Sequence, residues 1–161
     1  MSMNMTEVCK NLANKNLNVR LATLEDLEAV SKFDATDHMT AFAQKSGGDF
    51  LIGLINSASA YIALIDDKAV GYARVDYIWP ERVPLLSWLY VDENNRGIGV
   101  ADLLRAYVFE AIKGKGYEAI LRSACTERPH MVKKLQEKCA PAGSLTFLNG
   151  TVEHFFWHKL S

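Results

Sequence analysis

The clearest chemistry in this sequence belongs to a short basic segment with two glycines, placed between a predicted strand and a predicted helix. The segment is Arg96-Gly97-Ile98-Gly99-Val100-Ala101. Glycines leave the backbone open, so several N–H groups can converge on one anion at the positive end of a helix. The side chain of Arg96 adds a positive charge beside those groups. The segment therefore predicts a phosphate site.

The spacing of this segment separates it from two common phosphate motifs. A P-loop requires Gly-Lys-Ser/Thr where its helix begins, and the sequence has none there. A dinucleotide fingerprint beginning at Gly97 would place Gly or Ala at Asp102, and it would start directly at the end of the strand. Arg96-x-x-Gly99-x-Ala101 instead resembles Q/R-x-x-G-x-G/A, the acetyl-coenzyme A pyrophosphate signature of GNAT-type N-acetyltransferases. A glycine turn without a ligand is the alternative, and the order of the surrounding elements disfavours it.

Length and composition define the general class of protein. The 161 residues suit one domain with a full core, and 49% hydrophobic with 23% charged residues is ordinary for a globular chain. A net charge of −1 provides no electrostatic footprint for nucleic acid. Cys9, Cys125 and Cys139 have no metal-like spacing, which favours free thiols in a reducing cytoplasm and no metal. We find no signal peptide and no membrane-spanning stretch, so we expect no membrane partner.

The hydrophobic pattern predicts a mixed α/β fold, with a leader over residues 1–18 and one domain over 19–161. Residues 1–16 are polar and aperiodic, which suits either a loose leader or an extra short helix. The predicted elements, in order, are a strand at 19–21, a helix from Thr23, a short helix around 39–43, a helix from Asp49, a hairpin over 60–78, a strand at 85–91, a helix at 100–113, a strand at 117–124, a helix at 129–138 and a hairpin over 144–160.

Capping and turn residues predict several boundaries of these elements. Thr23 and Asp26 have the spacing of a capping box, which would begin the first helix. Gly114 or Gly116 can end the 100–113 helix in a left-handed conformation. Asn149-Gly150 predicts a type I′ turn between the last two strands.

The order of strands and helices is the one expected of the GNAT fold, and it extends the resemblance to about residues 19–160. Val19-Arg20-Leu21-Ala22-Thr23-x-x-Asp26 looks like the common opening of these domains, and Val70-Gly71 resembles the strand that precedes the cofactor strand. The resemblance implies a mixed central sheet of about seven strands flanked by helices, with a splayed, V-shaped cofactor cleft. It also implies acetyl-coenzyme A as the co-substrate and a primary amine as the acceptor.

The resemblance further implies where the co-substrate binds. In GNAT-type enzymes the cofactor strand carries a bulge, and a backbone N–H there points at the acetyl carbonyl. By position, the implied cofactor-binding residues are Leu89, Tyr90, Val91, Arg96, Gly97, Ile98, Gly99, Val100 and Ala101. The pantetheine arm would run between the 85–91 and 117–124 strands.

Acetyl transfer also requires a neutral amine and protonation of the departing thiolate. The family often provides a Tyr for the thiolate in N-x-x-A-x-x-F-Y-E-K, and the 129–138 segment aligns with that pattern by spacing. Gln136 then stands at the tyrosine position, where it can only hydrogen-bond. Tyr90, His130 and Cys125 are the candidate replacements. Their structural alternatives are core packing for Tyr90 and Cys125, and a surface position at a helix start for His130.

Several assignments remain open at this point. Asp76, Glu81, Asp92 and Glu93 are candidate bases, with surface charge as the alternative. Polyamines, aminoglycosides, amino acids, peptide N-termini and protein lysines all suit the near-neutral charge as acceptors. A non-catalytic acetyl-coenzyme A-binding sensor or interaction domain is the alternative to an enzyme. The aromatic C-terminal hairpin could pair two copies in a homodimer, or its rings could pack inward.

Overall fold

The computed structural model describes residues 15–34, 48–79 and 82–161, so the predicted helix around 39–43 and the base candidate Glu81 lie outside the described residues. In chain order the elements are β1 Leu17–Leu21, α1 Leu27–Asp34, α2 Gly48–Asn56, β2 Ala60–Ile65, β3 Lys68–Ile78, β4 Val83–Val91, α3 Val100–Gly114, β5 Ala119–Cys125, α4 Pro129–Lys138, β6 Ala140–Thr146 and β7 Val152–Lys159.

The seven strands form one mixed sheet in the order β1-β2-β3-β4-β5-β7-β6. The pairs β1–β2, β2–β3, β5–β7 and β7–β6 are antiparallel. β4 and β5 are parallel, with Leu85 opposite Leu121. Parallel neighbours need a crossover connection, and the chain passes through α3 between them. The prediction of a mixed α/β fold with about seven strands and flanking helices is therefore confirmed.

The chain divides into two compact units. The first unit contains the described residues up to Arg74 together with Trp88–Val108, and the second contains Val75–Ser87 with Phe109–Ser161. In the first unit, α1 and α2 pack on one face of β2 and β3. The buried residues of this core are Ala22, Val30, Phe33, Leu51, Leu54, Ile55, Ala60, Ile62, Leu64 and Tyr72.

Strand β2 is apolar throughout because both of its faces are covered. Ile62 and Leu64 belong to the core under α1 and α2. Tyr61 points to the other face and is fully buried, with its ring edge-on to that of Tyr107 in α3 at a centroid distance of 6.0 Å. Burial on both sides explains why the sequence shows a continuous apolar run instead of alternation.

The predicted capping box at the start of the first helix is confirmed. The Thr23 N–H donates to the Asp26 carboxylate at 2.7 Å, and the Thr23 hydroxyl donates to it at 3.2 Å. Arg20 forms an ion pair with the same carboxylate at 2.7 Å. Burial would raise the pKa of Asp26, but the hydrogen bonds from Arg20 and Thr23 outweigh it and hold that pKa below its usual value.

In the second unit, α4 packs on β5 and β7 through a small core of Ala124, Leu135 and Phe156. The chain leaves α3 through Gly116, whose φ of +93° is left-handed, as predicted for one of the two glycines there. β6 is the last strand of the sheet, and all its residues are exposed. Its pairing with β7 shifts register between Pro141 and Gly143.

The turn between β6 and β7 differs from the predicted type I′ turn. That turn needs positive φ at both central residues, yet Gly150 alone has it, at +87°. The Gly150 N–H donates to the Phe147 carbonyl, and the Phe147 N–H donates to the Thr151 carbonyl, both at 2.8 Å. The loop is therefore a three-residue connection with left-handed glycine last, and the Asn149 side chain accepts the Thr151 N–H at 2.8 Å.

Candidate functional site

The predicted phosphate segment begins where β4 ends, in the first unit. The Asp92 N–H donates to the Val70 carbonyl of β3 at 2.8 Å, which fixes the end of the strand. A 3₁₀ turn over Glu93–Asn95 follows. The Asn95 N–H donates to the Asp92 carbonyl at 2.9 Å, and its side-chain amide donates to the Asp92 carboxylate at 3.2 Å. Asp92, a candidate base, therefore holds this turn in place.

Two glycines shape the entry into α3. Gly97 and Gly99 have φ values of +78° and +95°, a region that L side chains rarely adopt. The Leu103 N–H donates to the Gly99 carbonyl at 3.1 Å. The amides of residues 100–102 precede that bond and lie at the positive end of a 15-residue helix. This arrangement of amides is suited to an anionic ligand.

The Nε atom of Arg96 anchors this side chain to the end of β4. Its Nε donates to the Val91 carbonyl at 2.8 Å, and its guanidinium carbon lies 5.5 Å from the centroid of the Tyr90 ring. The residue is exposed. Its two terminal nitrogens carry further N–H donors and donate to no acceptor within the described part of the chain. They add charge-assisted donors to the same segment.

Tyr90 contacts both the phosphate segment and the core of the first unit. Its ring, which lies near the Arg96 guanidinium, is also 5.2 Å from the ring of Phe33 in α1. Trp88, two residues earlier on β4, donates its indole N–H to the Phe33 carbonyl at 3.3 Å. These contacts support the core-packing alternative for Tyr90, and its catalytic role stays a prediction.

Gly71 of β3 allows a close approach of three elements. A Cβ at this position would lie 3.2 Å from the Tyr90 carbonyl oxygen, 3.4 Å from a methyl of Val100 and 3.5 Å from Ala63. The Val70-Gly71 pair singled out in the sequence therefore has a packing reason. It lets β4 and the start of α3 sit tightly against β3.

A partly buried ion pair in the first unit was not predicted from the sequence. Arg74 Nη1 lies 2.7 Å from Asp34 Oδ2, which also accepts the Tyr72 hydroxyl at 3.2 Å. The guanidinium lies 5.3 Å from the Phe50 ring centroid and 5.6 Å from that of Trp88, within cation–π range. This cluster ties α1 and α2 to β3 and β4. No spacing signal relates residues so far apart in the chain.

The other two candidate catalytic residues lie on α4, in the second unit. This helix begins at Pro129 as predicted, with Arg128 at its N-cap. His130 and Gln136 are both exposed, while Leu135 is buried. A spacing of six residues places two side chains about 120° apart around a helix. The structure therefore does not bring His130 and Gln136 together on one face.

Glu153 is a buried carboxyl that the sequence did not reveal. It begins the buried part of β7, lies opposite Cys125, and is 8% exposed. Burial raises the pKa of Glu153, whereas the hydrogen bond from Ser123 and the charges of Arg128 and His154 lower it. Among the residues that the structure describes, Oε2 has no hydrogen-bond partner.

The remaining candidates have local structural roles. Cys125 is buried and accepts the Glu127 N–H at 3.5 Å, consistent with core packing. Asp76 accepts a hydrogen bond from the Ser87 hydroxyl. Glu93 is exposed in the 3₁₀ turn.

A comparison with protein families decides the class of this protein. The model described as the acetyltransferase (GNAT) family matches residues 21–139. The chain belongs to the GNAT acetyltransferase family. The matched range includes the phosphate segment and α4, and the β6–β7 hairpin follows it.

Solved structures share the GNAT fold with this chain. An N-acetyltransferase from Staphylococcus aureus Mu50 has a TM-score of 0.73 and 20% identity, with 91% of this chain and 99% of that chain covered. The yncA protein of Salmonella typhimurium, solved with its cofactor acetyl-CoA, has a TM-score of 0.72 and 13% identity, with 91% and 95% covered. A ribosomal-protein-alanine N-acetyltransferase from Brucella melitensis has a TM-score of 0.70 and 19% identity, with 88% and 99% covered. A comparison with curated proteins found no match.

Two general properties of this GNAT chain complete the description. The helices that the structure describes include none long and apolar enough to cross a membrane. Over residues 15–34, 48–79 and 82–161, no group of three or more His, Cys, Asp or Glu side chains could hold a metal ion.

Proposed function

We propose that this GNAT chain binds acetyl-coenzyme A at residues 96–101 and transfers the acetyl group to a primary amine by direct attack in a ternary complex. One observation carries the proposal: left-handed Gly97 and Gly99 at the start of α3, with Arg96 anchored beside them. The family match supports an acetyltransferase, and a structural neighbour that contains acetyl-CoA supports the co-substrate.

The residues of the segment fit a pyrophosphate. The two glycines keep side chains away from the backbone, and the first amides of α3 lie at the positive helix end. Hydrogen bonds to charged oxygens are roughly twice as strong as neutral ones, so Arg96 contributes both charge and direction. The backbone of Leu89, Tyr90 and Val91 on β4 is the proposed support for the acetyl end.

Acetyl transfer also places demands on protons. A free lysine amine titrates near ~10.4, roughly three units above neutrality, so it must lose a proton before it attacks. Acetyl-coenzyme A supplies the thioester, and the chain must orient both substrates and move that proton. Tyr90 and His130 are proposed proton carriers, whereas Gln136 can only hydrogen-bond the leaving sulfur.

A calorimetric titration with acetyl-coenzyme A tests the binding site. Gly99→Glu places a carboxylate where the pyrophosphate is expected, so we expect binding to be lost. Gly116→Glu is the matched control, because its φ of +93° nearly equals the +95° of Gly99 and imposes the same backbone strain at the other end of α3. Absence of binding by the wild type, or equal affinities in the wild type and Gly99→Glu, would contradict the site.

The alternative is a non-catalytic acetyl-coenzyme A-binding domain, which the Gln at position 136 favours. Release of free coenzyme A separates the two. The acceptor panel is spermidine, kanamycin, alanine, a peptide with an N-terminal alanine and a peptide with an internal lysine. The alanine peptide is included because a structural neighbour is a ribosomal-protein-alanine N-acetyltransferase. We expect amine-dependent release with at least one of them, and binding without release would support the alternative.

We also propose that residues 19–161 act as one domain in a reducing, cytoplasmic compartment. The free state of Cys125 and Cys139 supports such a compartment. β1 begins at Leu17, two residues before the predicted boundary between leader and domain.

A further inference from the structure

A cysteine and a histidine face each other where β6 begins, in the second unit. Ala140 of β6 lies opposite Trp157 of β7, and the two strands are antiparallel. Cys139 precedes Ala140 and has an extended backbone, with φ of −132° and ψ of 153°, so it stands opposite His158. The Cys139 Sγ lies 3.6 Å from the His158 Nδ1, which is hydrogen-bond distance for a sulfur atom.

The imidazole of His158 is oriented by the ring of Phe109, which also belongs to the second unit. The two rings stack with their centroids 4.4 Å apart and their planes at 29°. In the tautomer that carries its proton on Nε2, the His158 Nδ1 accepts a hydrogen bond from the Cys139 thiol. A nucleophile that is hydrogen-bonded to a base, with the base held by a third group, is the usual arrangement of an activated nucleophile. The geometry therefore gives the Cys139 thiol a base for its proton.

The position of the Cys139 side chain limits which reagents can reach its sulfur. The residue is half-buried and packs against the small core of Ala124, Leu135 and Phe156. Its N–H donates to the Leu135 carbonyl at 2.8 Å, which fixes its backbone at the end of α4. A molecule of a few atoms reaches such a thiol more easily than a cofactor or a peptide does. Hydrogen peroxide is a reagent of this size, and it oxidises accessible thiolates.

Cys125 is an internal comparison within the same unit. It is buried, and its sulfur accepts the Glu127 N–H at 3.5 Å. Buried structural cysteines are inert, whereas reactive cysteines are partly exposed beside a histidine or another cationic group. Cys125 and Cys139 therefore differ in their access to solvent and in the group that their sulfur atoms hydrogen-bond.

We propose that Cys139 is a site of oxidation by hydrogen peroxide, with His158 as the base. The thiol proton passes to His158 while the sulfur attacks one oxygen of the peroxide. The S–O bond forms as the O–O bond breaks, and the leaving hydroxide takes the proton from His158 and departs as water. The sulfur loses two electrons, the peroxide gains them, and Cys139 becomes a sulfenic acid, a state that other thiols can reverse.

The first test follows the oxidation of each cysteine in the wild type. Hydrogen peroxide is the oxidant, dimedone traps the sulfenic acid, and mass spectrometry of the peptides separates Cys139 from Cys125. The assay needs neither acetyl-coenzyme A nor an amine, so its result is independent of the proposed acetyl transfer. The same measurement is repeated in urea, where Cys139 and His158 are no longer neighbours.

The folded and unfolded chains should differ in opposite directions at the two cysteines. Partial burial alone slows a thiol in the folded state. Cys139 should instead react faster in the folded chain, by about tenfold or more, because a positioned base typically contributes roughly 10²–10⁴-fold. Cys125 should react only when the chain is unfolded.

A pair of histidine variants tests the base itself. His158→Asn removes the base and keeps a polar side chain, so trapping at Cys139 should slow by about tenfold or more. His154→Asn is the matched control, since this histidine lies on the same strand and its Nε2 is 3.1 Å from the Thr126 hydroxyl. It should leave the rate at Cys139 unchanged.

Three results would overturn the oxidation site. They are slower trapping at Cys139 in the folded than in the unfolded chain, a wild-type rate in His158→Asn, and equal losses in His158→Asn and His154→Asn. If His158→Asn does not fold, the comparison of folded with unfolded wild type decides alone. Faster trapping in the folded chain, lost in His158→Asn and kept in His154→Asn, supports the site.

Discussion

The Arg96 side chain combines two functions that a lysine side chain could not combine. Its Nε holds the phosphate segment to the Val91 carbonyl, and its terminal nitrogens remain as donors for a ligand. Lysine keeps the charge but has a single nitrogen without the planar fork. A hydrogen bond that involves a charged group contributes about 1.5–3 kcal/mol, so loss of one corresponds to roughly tenfold or more in affinity.

We therefore expect Arg96→Lys to weaken acetyl-coenzyme A binding by about tenfold. Isothermal titration calorimetry measures the dissociation constant directly. Arg82→Lys, at an exposed position outside the segment, is the control and should leave the constant unchanged. Equal affinities in Arg96→Lys and the wild type would show that charge alone is sufficient.

At the scale of elements, Gly71 sets how closely β3, β4 and α3 pack. Gly71→Ala would bring a methyl within 3.2 Å of the Tyr90 carbonyl oxygen and 3.4 Å of Val100. Overpacking of this kind costs about 1–3 kcal/mol, so urea should unfold the variant at a lower concentration. Acetyl-coenzyme A should also bind more weakly, because the displaced atoms adjoin the phosphate segment.

Gly53→Ala provides the opposite expectation for the same measurement. Gly53 lies inside α2 with no atom within 4 Å of an added Cβ. Alanine in a helix interior is favoured over glycine by about 0.5–1 kcal/mol, so this variant should be more stable than the wild type. If both alanine variants change the free energy of unfolding in the same direction, tight packing at Gly71 does not explain the effect of Gly71→Ala.

Local chemistry made several elements predictable from the sequence. Residues that begin or end a helix act through their own backbone or through their nearest neighbours. The structure has the predicted capping box of Thr23 and Asp26, the helix start at Pro129 and the left-handed helix end at Gly116. The final turn was predicted wrongly because Asn-Gly suits more than one hairpin loop, and here Gly150 alone adopts positive φ.

Long-range contacts explain what the sequence did not show of the candidate site. The Asp34–Arg74 pair joins a helix end to a strand forty positions later, and hydrophobic periodicity carries no signal for such a contact. Glu153 sits in an alternating aromatic strand, where an acid ordinarily indicates the solvent side. Its burial depends on neighbours from β5 and β6, which only the folded sheet brings together.

At the scale of the whole molecule, stability should depend on pH in two opposite ways. The pKa of Asp26 is lowered in the folded chain, so its contribution is present above its unfolded pKa and is lost as acid lowers the pH. The pKa of Glu153 is raised above its ordinary 4.5, so its contribution is present below that value and is lost as the pH rises through the folded pKa.

Urea unfolding of two variants between pH 3 and pH 9 tests the direction of both pH effects on stability. Relative to the wild type, Glu153→Gln should gain stability as the pH rises above about 4.5, because the amide stays neutral. Asp26→Asn should be less stable than the wild type at neutral pH, and the difference should shrink on acidification. A constant difference across the range for either variant would contradict its assignment.

The position of β7 in the sheet limits the order in which the strands can pair while the chain is being synthesised. β7 is the last strand of the sequence, yet it lies between β5 and β6. β6 therefore leaves the ribosome with no strand to pair with and must wait for the residues that follow it. Since domains generally fold as units during synthesis, the second unit can close its sheet only when residues 152–159 have emerged. Until then, the exposed edge of β5 is the surface that a chaperone would have to protect.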